Sequence, residues 1–140
     1  MMNSHSYQAY KQQSVMTMTP AEMLTMLYDG ILKEMYIVKK AFGQEPQNLA
    51  EINHSLQKAQ KIINYLKSSL DMNFDIANHL FSLYDYCNRI LIQANIKKEP
   101  SGLEEIEDII AQLRESYIQA DKSIRIQTPE SERNLQASSF

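Results

Sequence analysis

The sequence has no tryptophan, one cysteine, three glycines and three histidines in 140 residues. One cysteine excludes an internal disulfide. Its position, Cys87, falls within an apolar helical stripe, which predicts a buried thiol in a reducing compartment. Three glycines leave no loop able to cradle a phosphate. There is no HExxH pattern and no Cys/His cluster with metal-ligand spacing, so no metal and no cofactor is expected. No apolar run reaches membrane-spanning length, and the N-terminal MMNSHSYQAYKQQ has no apolar signal core. The expectation is a cytoplasmic protein with no membrane partner. A net charge of −3, with Lys39-Lys40 and Lys97-Lys98 as the only adjacent basic pairs, argues against nucleic acid. No strand alternation, internal repeat or low-complexity tract is present.

What remains is strongly helical. Hydrophobic residues make up 44% and charged residues 22%, a globular balance, and the length fits one domain. Eight methionines and eight tyrosines supply much of the apolar bulk. Pro20, Pro46 and Pro100, with Gly43 and Gly102, punctuate the chain into four helices, about 20–41, 49–70, 74–98 and 102–124. Thr19 with Glu22, Asn48 with Glu51, and Ser101 with Glu104 read as capping boxes. Asp71 or Asn73 is the expected cap of the third helix. Acidic residues Glu104, Glu105, Glu107 and Asp108 crowd the first turns of the fourth, where the helix dipole favours them.

Each helix carries a core stripe. Helix one has Leu24, Leu27, Tyr28, Ile31, Met35, Val38 and Phe42; helix two has Leu49, Ile52, Leu56, Ala59, Ile63, Leu66 and Leu70. Helix four has Leu103, Ile106, Ile110, Leu113, Tyr117, Ala120 and Ile124. Short connectors make neighbours antiparallel, so the expected fold is an all-α, up-down-up-down four-helix bundle. Residues 125–140 read as a polar, disordered tail. Residues 1–18 lack helical periodicity yet hold Tyr7, Tyr10, Val15, Met16 and Met18, which predicts a segment that packs on the bundle.

The third helix, within Leu70 to Lys98, is apolar on too many sides. Ile76, Leu80, Leu83, Tyr84, Cys87, Leu91 and Ala94 already make a complete stripe. Phe81, Ile92 and Ile96 are left on one flank, and Tyr86 and Ile90 on the other. Surplus apolar surface on a small protein marks a binding site, or a face hidden in a homodimer. Helix one has a second apolar face of Met23, Met26, Gly30 and Ile37. Gly30 costs about 1 kcal/mol relative to alanine. It fits close approach by another chain or by a neighbouring helix.

Two chemical motifs are weighed against the binding reading: the first is too incomplete to carry a metal site, and the second leaves a histidine phosphotransfer bundle using His54 as an alternative, beside an oligomeric structural bundle. Glu51-x-x-His54 matches half of a di-iron bundle signature, but that chemistry needs two such motifs and two further glutamates pointing inward. Both residues lie roughly 100° or more from the stripe centre, toward solvent. His54-Ser55-Leu56 resembles the start of a histidine phosphotransfer motif, but Gln57 and Lys58 stand where that motif has lysine and glycine.

At the level of motifs the chain resembles the FliS family of flagellar secretion chaperones. The likeness rests on Tyr7-Gln8-Ala9-Tyr10, on Thr19-Pro20-Ala21-Glu22-Met23-Leu24 running into Leu27-Tyr28-Asp29-Gly30, and on Lys58-Ala59-Gln60. It continues through Ile76-Ala77-Asn78-His79-Leu80, Leu83-Tyr84-Asp85-Tyr86 and Ala94-Asn95. One departure is the connector from Asp71 to Ile76, Met-Asn-Phe-Asp here, where the family usually carries glycine or acidic residues. The resemblance implies a non-enzymatic bundle that binds the disordered C-terminal region of flagellin. It would block premature polymerisation and keep the subunit competent for type III export. Other flagellar export or regulatory proteins are further expected partners. It also implies that the segment holding Tyr7 and Tyr10 covers a groove until client displaces it. The residues expected to meet client are Phe81, Asp85, Asn88, Ile92 and Ile96 of helix three, with Met23, Met26 and Ile37 of helix one as a second surface.

Overall fold

The structure is a computed structural model that describes residues 17–127. Expectations for Tyr7, Tyr10, Val15, Met16 and the tail beyond residue 127 lie outside the described residues. Four helices follow in order: α1 (Pro20–Phe42), α2 (Leu49–Ser68), α3 (Asp75–Lys97) and α4 (Leu103–Gln127). Cross-helix contacts fix the direction of every neighbouring pair. Glu34 meets Lys58 while Gly30 meets Ile62, and Lys67 meets Asp85 while Asn95 meets Asn53. Asp29 meets Arg114 while Lys39 meets Glu107, and Tyr86 meets Glu105 while Ile90 meets Gly102. As one member of each pair advances along the chain the other recedes, so the bundle runs up-down-up-down.

Local chemistry sets most boundaries. Thr19 caps α1 through its hydroxyl, which accepts from Glu22 N–H at 3.1 Å, with Pro20 following at the first helical position. Asn48 caps α2 by accepting from Glu51 N–H at 3.1 Å. Its side-chain amide donates to the Glu51 carboxylate at 3.1 Å, while its backbone N–H donates to Ala41 O. The reciprocal bond is therefore between side chains and not the backbone bond of a capping box. The other two starts differ from the sequence reading. Asp71 and Asn73 do not cap α3: Asp71 Oδ1 accepts from both the backbone and the side-chain amide of Asn73, which closes a local turn. The cap position is Phe74, whose side chain makes no capping bond. Helix α4 begins at Leu103, with Gly102 O accepting from Ile106 N–H, one residue later than a Ser101 box requires. Its far end reaches Gln127, past the expected stop at 124.

The stripes converge on one core that includes Tyr28, Met35, Leu56, Ile63, Cys87, Leu91 and Ile106, each wholly buried. Three stripe assignments are corrected. Leu49, at the first position of α2, is exposed because it precedes the turn that packs. Ala120 is exposed because α4 runs on past its closely packed half. Ile76 points coreward on the wheel but is 60% exposed, because α2 has ended at Ser68 and leaves it no neighbour. The second face of α1 also finds a place: Gly30 lies against Ile62 of α2, so Met23, Met26 and Ile37 turn toward that helix and are half-buried.

Two glycines give opposite expectations. A Cβ on Gly30 would lie 3.1 Å from the tip of Ile62, a flexible atom that can yield. Gly30→Ala is therefore expected to stabilise by up to about 1 kcal/mol through helix propensity. Gly102 has φ +87, and a Cβ there would lie 2.7 Å from Cγ2 of Ile90. Gly102→Ala is expected to cost about 1–3 kcal/mol. Urea denaturation of both variants checks the two signs.

Candidate functional site

One end of the bundle is open. There α1 starts, α2 ends, α3 starts and the second half of α4 passes by, enclosing an apolar groove of about 420 Å³. Pro20, Met23, Leu24 and Leu27 form one wall. Tyr65, Leu66, Ser69 and Leu70 form the second, and Phe74, Ile76, Ala77 and Leu80 the third. Tyr84 and Tyr117 close it, and Asp71 is its one charged lining residue. Sequence reasoning assigned Leu24, Leu27, Leu70, Ile76 and Leu80 to the core. Phe74, an apolar residue of the connector before α3, lines the groove and is 49% exposed; it is the one sequence feature that could have marked this end, and the sequence reading did not use it.

Beneath the groove lies a tyrosine cluster. The hydroxyls of Tyr28 and Tyr84 share a hydrogen bond of 2.5 Å in the core, and the Tyr28 ring stands 6.1 Å from that of Tyr117. These are the tyrosines of the two Leu-Tyr-Asp motifs. The following aspartates clamp outward in the same way. Asp29 accepts from Arg114 of α4 at 2.5 Å, and Asp85 from Lys67 of α2 at 3.0 Å. Each motif thus fills the core, closes a polar pair and ties its helix to a neighbour. Burial pushes the pKa of the Tyr28 phenol well above its ordinary value, with the neighbouring Tyr84 adding to the shift, and burial pushes that of Tyr84 up to about 12. Both stay neutral at physiological pH.

The residues singled out on α3 lie along its seam with α2. Phe81 and Ile92 are 40% and 38% exposed, and Ile96 is 77% exposed. Lys67 places its ammonium 4.9 Å over the Phe81 ring while pairing with Asp85. Asp85 also has Arg89 at 3.7 Å. Asn88 donates to Asn64 at 3.4 Å, and Asn95 to Asn53 at 2.9 Å. The seam is therefore a row of exposed apolar side chains divided by polar cross-links. Asp85 and the Asn88 amide nitrogen already have partners that an incoming backbone must share or displace, whereas Asn88 Oδ1 is buried without one. On the opposite flank Tyr86 donates to Glu105 at 2.8 Å and Ile90 is half-buried beside Gly102. That flank is tied to α4. Met23 belongs to the groove; Met26 and Ile37 do not line it.

Glu51 and His54 face solvent, and Glu51 is engaged in the α2 cap. Among the described residues no three His, Cys, Asp or Glu side chains gather to hold a metal, and no helix is long and apolar enough to cross a membrane. Cys87 is fully buried, and burial lifts its thiol from 9.0 to about 11. Because the folded value lies above the unfolded one, its stabilising contribution is complete below pH 9 and is lost as pH rises toward 11. Alkylation by iodoacetamide at pH 8 is expected to proceed only at the rate of unfolding, read by mass spectrometry.

An antiparallel helical bundle with an open apolar groove at one end and a row of exposed apolar residues along one seam belongs to the class of helical binding proteins. The family model described as Flagellar protein FliS matches residues 2–124. The flagellar secretion chaperone FliS of Bacillus subtilis is 39% identical over 119 residues, covering 85% of this chain and 88% of its own. That of Salmonella typhimurium is 32% identical over 126 residues, covering 85% and 92%. A solved structure described as a flagellar chaperone from bacteria shares the fold, with TM-score 0.70 over 85% of this chain and 97% of its own at 22% identity. The chain belongs to the FliS family of flagellar secretion chaperones, a family of chaperones and not of enzymes.

Proposed function

We propose that this protein holds the C-terminal region of flagellin in the cytoplasm, prevents its premature polymerisation and keeps it competent for flagellar type III export. The observation that carries this reading is the apolar end groove, with a second apolar surface on the α2–α3 seam. An amphipathic client segment that orders on binding lays side chains into such surfaces at helical spacing. In this reading Met23 and Ile76 meet client in the groove, while Phe81, Ile92 and Ile96 meet it along the seam. Asp85 and Asn88 offer hydrogen bonds between them, and Met26 and Ile37 extend the contact from α1.

Calorimetric titration of the full chain with a synthetic peptide from the C-terminus of a flagellin tests the reading. Saturable binding with a negative heat-capacity change is expected, the mark of apolar burial. No heat and no retention at micromolar concentrations would overturn it.

A further inference from the structure

Asp71, the one charged residue that lines the end groove, lies in the connector between α2 and α3. Its Oδ1 accepts from the backbone and side-chain amides of Asn73 at 3.0 and 2.9 Å, and its backbone carbonyl accepts from Phe74 N–H at 3.2 Å. These bonds hold the carboxylate in a closed turn. Among the described residues no cation pairs with it, and its second oxygen reaches solvent without a partner. The seam offers the contrast. There Asp85 has Lys67 at 3.0 Å and Arg89 at 3.7 Å. One acid is met by two cations of the chain, and the other, in the apolar groove, is met by none.

Filling the groove changes the surroundings of that carboxylate. A client that covers the apolar walls also takes water from Asp71, which is itself half-buried. The cost of a carboxylate stripped of water and given no partner outweighs the gain from burying one apolar anchor. A client that fills the groove therefore brings a donor to Asp71. A cation is the strongest such donor, and it supplies the charge that no described residue does. Tyr65 and Phe74 line the same groove with half-exposed rings. Aromatic faces attract a cation, and apolar walls accept the aliphatic stem that carries it.

We infer that Asp71 is a specificity-determining residue of the groove, and that it selects a client segment with a lysine or arginine among its apolar anchors. The cation pairs with the open Asp71 oxygen, while neighbouring client side chains meet Met23, Leu27 and Ile76. This inference rests on the proposed client reading and adds to it the charge that the client carries.

Calorimetric titrations of the full chain with an N-acetylated flagellin C-terminal peptide test it. Asp71→Asn keeps an Oδ1 that accepts from Asn73 and removes the charge alone. Its affinity is expected to be about tenfold weaker, with the melting temperature unchanged. A series of peptides in which each lysine or arginine is replaced singly by glutamine completes the cycle. One replacement is expected to weaken binding to the unmodified chain about tenfold and to leave binding to Asp71→Asn nearly unchanged. Asp71→Asn binding as tightly as the unmodified chain overturns the inference alone. So does a series in which every replacement costs both chains the same. No binding by the unmodified chain overturns the client reading and this inference together.

Discussion

Tyr28→Phe is expected to destabilise the bundle by about 1–3 kcal/mol, and the double variant Tyr28→Phe/Tyr84→Phe to cost less than the sum of the singles. The reason is the isolation of the pair. Tyr28 is wholly buried and Tyr84 is 1% exposed, and their hydroxyls bond to each other. Removing one hydroxyl leaves the other in the core with its partner gone, and an unmet buried polar group costs its full desolvation. Removing both leaves two phenylalanines of nearly the same shape. Tyr28→Ala deletes the ring as well, and about 3–5 kcal/mol is expected, enough to threaten folding of a domain of this size. Urea denaturation followed by circular dichroism gives all four corners of the cycle. Additive single costs would mean that the hydroxyls do not depend on one another.

The second large effect concerns client. Ile76→Asp is expected to lower affinity for a flagellin C-terminal peptide about 10- to 100-fold while leaving the melting temperature nearly unchanged. Ile76 is 60% exposed on the groove wall, so a carboxylate there stays hydrated in the free chain. Once a client side chain fills the groove, the same carboxylate loses water and gains no partner. The penalty falls on the complex alone. Phe81→Ala and Ile92→Ala on the seam are expected to cost about 1–4 kcal/mol of binding where they act as anchors. Titrations of the three variants side by side rank the groove against the seam. Full affinity in Ile76→Asp would remove the groove from the docking path.

The helices were legible because their signals are local. Thr19 and Asn48 cap at the positions that their sequence contexts indicate, and the 3.6-residue stripes identify Tyr28, Ile63 and Leu91 as core. The groove was not legible, because it depends on where neighbouring helices stop. Ile76 lies on the core side of the α3 wheel, and no periodicity records that α2 ends at Ser68. The caps of α3 and α4 were misread for a similar reason. Asp71 and Asn73 satisfy one another in the connector, and Gly102 turns α4 in with a backbone that its neighbours cannot adopt cheaply. The Leu-Tyr-Asp repeat could be read as a family fingerprint. That its two tyrosines meet, and that Asp29 ties α1 to α4 while Asp85 ties α3 to α2, follows only from the register of the packed helices.

The tyrosines around the groove have an optical consequence. The chain contains no tryptophan, so no indole drains the excitation of its phenols or masks their emission. Tyr65, Tyr84 and Tyr117 all border the groove, and Tyr28 lies just behind it. Whatever enters that space alters the polarity around these rings and the tilted contact between Tyr28 and Tyr117. Occupancy can then be followed by near-ultraviolet dichroism and phenol fluorescence on the unlabelled protein, with a tryptophan placed at successive positions of the incoming peptide as an energy acceptor that reports how deeply each position sits.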